Sequence, residues 1–238
     1  MKIVAPDYLS EFKCIAGDCC HTCCVGWEVD VDGESLQKFE QLPDIAKHID
    51  YDDTPHIKLS DDERCPFLND DGLCEMIINH GEEILCQICA DHPRFRNFWS
   101  NRIELGLGLV CEEAGRIILG RKEPMKLVTL SNDGENTELQ EDEKWLMALR
   151  DDMLESIDKT GVEARLLEYL IYRHLPDALY DNRVEERIAF VNKSFDEIIG
   201  KWKNTDGSFE SLVECARAWS YDVEYDDEVL EKKISTAL

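Results

Sequence analysis

The sequence predicts a mainly α protein in two parts: an irregular cysteine-cluster domain over residues 1–120, a connector over 121–137 and a small helical bundle over 138–238. Three observations predict it. Ten of the eleven cysteines fall within the first 111 residues, a density at which cysteines rather than packing often organise a small fold. Turn-forming residues interrupt every apolar stretch of that half. Downstream only Cys215 remains, and apolar residues recur at the three- and four-residue intervals of a helix face.

The elements follow in order. Glu28–Val31 and Ile57–Leu59 read as short strands, Leu36–His48 and Met76–Ile88 as helical. A helix beginning near Cys111 ends at Ile117–Gly120. The acidic runs Asp50–Asp53 and Asp61–Glu63 read as solvated loops. In the connector, Pro124, Asn132, Asp133 and Gly134 favour turns, although Lys126–Leu130 has the makings of a strand. Leu139, Trp145, Leu146, Leu149, Met153, Leu154 and Ile157 then share one helical face, with Gly161 where a stop is expected. Val162–His174 predicts a second helix, ending before Pro176. A third runs from Val184 through Ile198 to Gly200, and a fourth spans Ser208–Trp219 with Ser208 as a candidate N-cap.

Charge excludes several functions. The 238 residues carry 52 acidic and 26 basic side chains, a formal charge of -26 shared by both halves. Such a surface repels polyanions, which argues against nucleic-acid binding. No apolar run reaches the ~20 residues of a membrane span, and the opening residues lack a signal-peptide core. The expectation is a cytoplasmic protein with no membrane association, in a reducing compartment where clustered cysteines bind metal more often than they form disulfides.

The cysteines form three groups. Cys14, Cys19, Cys20, Cys23 and Cys24 come first, followed by Gly26 and Trp27. Cys65 and Cys74 are the second, and Cys86 and Cys89 the third, with Cys111 beyond. The two-residue gaps of Cys20–Cys23 and Cys86–Cys89 let two thiolates turn onto one ion, as in zinc knuckles and iron–sulfur sites. Ten cysteines exceed the four of one tetrahedral site, so either two sites or one site with spare thiols is expected. His21, His80 and His92 are possible substitutes. Thiolate-rich sites suit zinc and iron–sulfur clusters alike, and the domain is expected to be metal-organised.

The runs FKCIAGDCCHTCCVGWEVDVD (Phe12–Asp32), RCPFLNDDGLCEM (Arg64–Met76), GEEILCQICADHPRF (Gly81–Phe95) and LVCEEAGRIIL (Leu109–Leu119) together resemble the flagellin lysine-N-methylase family. The N-terminal part is also similar to the wider zinc- or iron-chelating cysteine-cluster family. The positions matching the family's cysteines are Cys14, Cys19, Cys23, Cys24, Cys65, Cys74, Cys86, Cys89 and Cys111; Cys20 and Cys215 do not match. The resemblance implies methyl transfer from S-adenosylmethionine to lysine side chains of flagellin or another lysine-bearing protein. It also implies a cysteine-bound metal, an iron–sulfur cluster (4Fe-4S) or zinc. The alternative is a non-enzymatic cysteine-cluster protein for electron transfer or protein interaction.

No spacing selects a catalytic base. Trp27, Phe95, Phe98 and Trp99 are candidates for an aromatic wall around cationic groups, though core packing is the stronger reading. The glycines of Glu104–Leu109 superficially match a Rossmann cofactor loop, but the helical second half supplies no alternating sheet. A tightly packed turn or strand beside Cys111 is expected there instead.

Overall fold

A computed structural model describes residues 1–134 and 137–238; Glu135 and Asn136, inside the expected connector, lie outside the described residues. The fold is mainly α. Packing divides it into two compact units, one made of residues 1–13 with 93–238, the other of residues 14–92. Composition places its divide at the connector; packing places its own at residues 13/14 and 92/93, because the first strand returns to pair with later ones.

The larger unit contains a four-stranded sheet. β1 (Lys2–Pro6) lies between β6 (Arg102–Leu107), which it meets in parallel, and β7 (Leu127–Asn132), which it meets antiparallel. β5 (Arg94–Trp99) forms a hairpin with β6, pairing Phe95 with Gly106 and Asn97 with Glu104. β5 alternates strictly, burying Phe95, Asn97 and Trp99. Gly106 is required here: a Cβ on it would stand 2.1 Å from the Phe95 ring. The glycine-rich segment is thus mostly strand, as its reading beside Cys111 expects.

The helices of this unit are α5 (Glu112–Leu119), α6 (Glu141–Glu155), α7 (Gly161–His174), the short α8 (Ala178–Asp181), α9 (Val184–Trp202), α10 (Phe209–Glu224) and α11 (Asp227–Ser235). The predicted helices of the second half are all present. α9 buries Phe190, Val191, Phe195, Ile198 and Ile199 on one stripe and packs on α7 and α10. Each fully buried apolar side chain of such a stripe contributes about 1.5–3 kcal/mol. Ser208 caps α10 by accepting from the Ser211 N–H. α6 begins with a capping box between Gln140 and Glu143. Gly161 opens α7 rather than closing α6; its φ of +58° turns the chain into the new helix.

The smaller unit has its own apolar core, which includes Val29, Phe39, Ile45, Ile57, Phe67 and Met76. β2 (Val29–Asp30) and β3 (Ile49–Asp50) both pair antiparallel with β4 (His56–Ile57). Both helical predictions are divided. Pro43 at a first helical position holds Leu42 extended and splits the first into α1 (Gly33–Phe39) and α2 (Pro43–Ala46). Gly81, at φ +87°, ends α3 (Glu75–His80); a 3-10 turn at Glu82–Ile84 follows, and α4 (Gln87–Asp91) is separate.

Candidate functional site

The smaller unit gathers cysteines from all three sequence groups. The Cys65 N–H donates to the Cys24 carbonyl at 2.8 Å and the Gly26 N–H to the Glu63 carbonyl at 2.9 Å, zipping the first group to the second. Residues 65–75 then fold back on themselves: Glu75 N–H reaches the Phe67 carbonyl at 2.7 Å, and Leu68 bridges Cys74. Asn69 organises the tip, its side-chain oxygen accepting from the Asp71 and Leu73 N–H groups. Cys74 and Cys86 immediately precede α3 and α4, and Cys89 lies within α4.

Asp32 ties the third group in. Its carboxylate caps α1 through the Ser35 N–H at 3.0 Å and accepts from the Gln87 N–H, next to Cys86, at 2.9 Å. These hydrogen bonds hold its pKa down at about 2. Trp27 supports the first group, its indole N–H donating to the Cys23 carbonyl at 2.7 Å while its ring tilts against His92. Gly17 makes a close approach possible: a Cβ there would lie 2.9 Å from the Asp71 carbonyl, so only glycine lets the Ala16–Asp18 turn sit on the 69–73 loop.

Five thiols interact through their charges. Cys65 feels Cys24, Cys74 and Cys86; Cys89 feels Cys86, Cys24 and Cys65; Cys74 feels Cys24. Burial pushes Cys65 up to about 11 and raises Cys74. Cys24 falls to about 7, chiefly through its hydrogen bond with Cys23, helped by Thr22 and the Arg64 charge. Cys86 falls to about 7 because the Cys89 thiol hydrogen-bonds to it, and Cys89 rises for the same reason. Cys24 and Cys86 are thus drawn toward the thiolate form, whereas Cys65, Cys74 and Cys89 are held as thiols.

By its chemistry alone, a sulfur-rich and partly buried donor set suits a thiophilic metal. Among the described residues, however, no group of three or more His, Cys, Asp or Glu side chains is placed so that it could hold a metal ion. Of the sequence-predicted ligands, Cys24, Cys65, Cys74, Cys86 and Cys89 form the interacting set, and Cys23 adjoins it through Cys24. The Cys14 sulfur accepts from the Ala16 N–H, and the Cys19 thiol donates to the His21 carbonyl. Cys111 belongs to the larger unit, where it precedes α5. His80 is paired with Asp44 at 2.8 Å.

Sequence reasoning did not assign Arg64, Asp32 or Trp27 their supporting parts. Arg64 and Trp27 directly flank cysteine motifs, a usable signal; Asp32 carries none. The aromatic wall divides between units. Phe95 and Trp99 are buried in the larger one, Phe95 under the Arg173 guanidinium at 4.1 Å, whereas Phe98 is 52% exposed.

No family model matches the chain. No solved structure matches it either. The chain is similar to the flagellar biosynthetic protein FliU of Salmonella muenchen, at 25% identity over 139 residues, 53% of this chain and 82% of that protein. It is also similar to the lysine-N-methylase of Salmonella choleraesuis (strain SC-B67), at 26% identity over 139 residues, 53% of this chain and 35% of that protein. The lysine-N-methylase of Salmonella typhimurium (strain LT2) matches at 25% identity with the same coverage. The matched region thus spans about a third of each lysine-N-methylase.

Proposed function

We propose that this chain is a protein lysine N-methylase, taking methyl from S-adenosylmethionine and acting on flagellin or another lysine-bearing protein. The observation that carries the reading is its similarity, over half its length, to two proteins named lysine-N-methylase and one named for flagellar biosynthesis. The charge of -26 is compatible with a cationic substrate, whose approach an acidic surface accelerates. Among the described residues no helix is long and apolar enough to cross a membrane. The proposed setting is the cytoplasm.

The reaction sets the demands. A free lysine amine has a pKa near 10.4, so desolvation or a neighbouring base must first remove its proton. The neutral nitrogen then attacks the sulfonium methyl in line; the N–C bond forms, the S–C bond breaks and the sulfonium leaves as a thioether. Positioning of the two reactants supplies much of the acceleration.

An iron–sulfur cluster (4Fe-4S) or zinc belongs to the same proposal. Cys24, Cys65, Cys74, Cys86 and Cys89 would hold it, with Cys14, Cys19, Cys23 and Cys111 as the further ligands that the family resemblance implies. Bound there, the metal supplies positive charge to the thiolates and folding free energy to the unit. Asp32 and Trp27 tie down the segments that carry these sulfurs, and Arg64 does so by donating to the Leu68 and Asn69 carbonyls.

Anaerobically purified full-length protein, incubated with labelled S-adenosylmethionine and flagellin, tests the reading. Label on flagellin lysines supports it; none, with metal present under both aerobic and anaerobic conditions, overturns it. The shared third of each methylase favours one alternative, a non-enzymatic cysteine-cluster protein for electron transfer or protein interaction. A reversible redox signal without methyl transfer would identify that case.

A further inference from the structure

The larger unit contains a cleft of about 330 Å³ that no part of the cysteine site uses, where the end of β5 meets the first turn of α6 and the short α8. Phe98 and Tyr180 give it aromatic faces, and Asp142 and Glu143 give it negative charge. Among the described residues, no lysine or arginine lines it. Its volume is at the small end of ligand sites.

Both rings are open to solvent. The alternation of β5 buries Asn97 and Trp99 and turns Phe98 outward. Phe98 is 52% exposed and Tyr180 65%. The Tyr180 hydroxyl donates to the Phe98 carbonyl at 3.1 Å, which holds the phenol ring beside the strand. Single exposed rings are ordinary on a protein surface, but rings held together at a cleft form the kind of apolar patch that marks a binding site.

The charges are fixed in place as well. The Glu143 carboxylate accepts from the Ser100 N–H at 2.6 Å and the Gln140 N–H at 2.7 Å, and Asp142 accepts from the Glu143 N–H at 2.9 Å. Among the described residues, neither carboxylate has an ion-pair partner. The N-terminus of α6 supplies about half a positive charge, which offsets only part of two negative ones. The Tyr180 phenol senses this field: burial first, then the charges of Asp177 and Glu143, raise its pKa. Aromatic faces beside uncompensated carboxylates are what an alkylammonium group binds.

We propose that this cleft anchors a lysine side chain of the protein substrate, its methylene stem against Phe98 and Tyr180 and its ammonium at Asp142 and Glu143. The identity of the substrate rests on the methylase reading above. Carboxylates keep an amine protonated, whereas the methyl acceptor must lose its proton. The lysine held here is therefore an anchoring one, distinct from the lysine that receives the methyl group, and these four residues set which substrates dock.

Nuclear magnetic resonance titration of the isotope-labelled whole chain tests this with two probes, N-acetyl-lysine amide and its uncharged counterpart N-acetyl-norleucine amide. The variants Phe98→Ala, Tyr180→Ala and Asp142→Asn change exposed side chains, and circular dichroism melts establish that each is folded. The lysine probe is expected to shift the Trp99 and Ser100 amide signals, and each variant to weaken it by about threefold or more. The norleucine probe should bind more weakly than the lysine probe. In the methylation assay the same variants should raise KM for flagellin and leave kcat unchanged. Lysine-probe binding that the variants weaken, with no methyl transfer by the wild type, supports the cleft while removing the methylase reading. Flagellin methylated with one KM by the wild type and all three folded variants overturns the cleft and leaves the methylase reading standing. Equal binding of the two probes, or binding of neither, also overturns the inference.

Discussion

The backbone N–H of Cys65 donates to the carbonyl of Cys24 at 2.8 Å, joining two cysteine groups separated by forty residues of chain. The bond places two sulfur-bearing residues side by side through main-chain geometry, before any side chain is deprotonated. Cys86 and Cys89 reach the same set through Asp32, whose carboxylate joins α1 to the start of α4.

Replacing Cys65 with serine should remove most of the metal from anaerobically purified protein, whereas Cys20→Ser, outside the proposed ligand set, should retain it. Metal analysis and the visible spectrum read the difference. In the wild type, stripping metal with a chelator under reducing conditions should raise amide exchange across residues 14–92 much more than in α9. The reason is that the two units have separate cores, and only one holds the proposed sulfur ligands. Uniform loss of protection would contradict this.

Asp32→Ala deletes an N-cap and the bond to the Gln87 N–H together. The cap alone is worth about 0.5–2 kcal/mol. Chemical denaturation should show at least that loss, and Asp32→Asn, which keeps an acceptor oxygen, should recover part of it. An alanine variant as stable as wild type would remove Asp32 from its joining role.

Glu104 is fully buried between Arg150 and Arg102. Burial pushes its carboxyl up, but the charge and hydrogen bonds of Arg150, then those of Arg102, outweigh this and leave its pKa below the ordinary 4.5. A depressed folded-state pKa adds stability above the unfolded value, and that stability is lost as pH falls through the folded value. Glu104→Gln should therefore cost about 3–5 kcal/mol at neutral pH, the usual loss on breaking a buried pair. The gap to wild type should narrow as pH drops below about 4.5. Melting temperatures across pH 3–7 test the sign.

Gly106→Ala forces a methyl group into the Phe95 ring, which Tyr169, Tyr172 and Arg173 surround. Overpacking of this kind costs about 1–3 kcal/mol. The double variant Gly106→Ala with Phe95→Leu should recover part of the loss if the clash is its cause, measured as a change in denaturation midpoint.

Legibility in the sequence followed the range of the forces involved. The helices of the second half were readable because three- and four-residue spacing is a local property, as in α9 with Phe190, Val191 and Ile198. Ser208 was readable as a cap for the same reason. β1 was not readable: five residues gain their meaning only from β6 and β7, roughly a hundred positions away. The β5–β6 hairpin did carry a signal in the alternation of Arg94–Trp99, but the aromatic-wall reading of that stretch competed with it. α11 was also missed, its nine residues too short and too charged to announce a face.

By itself the sequence determined that the chain is mainly helical, strongly acidic and rich in cysteine in its first half, because composition and periodicity are local quantities. It also placed those cysteines in three ordered groups. Tertiary structure decided which cysteine-bearing segments meet, through the Cys24–Cys65 backbone bond and the Asp32 tie, and it put Cys111 in the other unit. It alone buried Arg150 against Glu104 and Arg165 against Glu168, since a guanidinium loses its water only when packing covers it. Desolvation is a property of the folded surroundings, and no spacing along a chain encodes it.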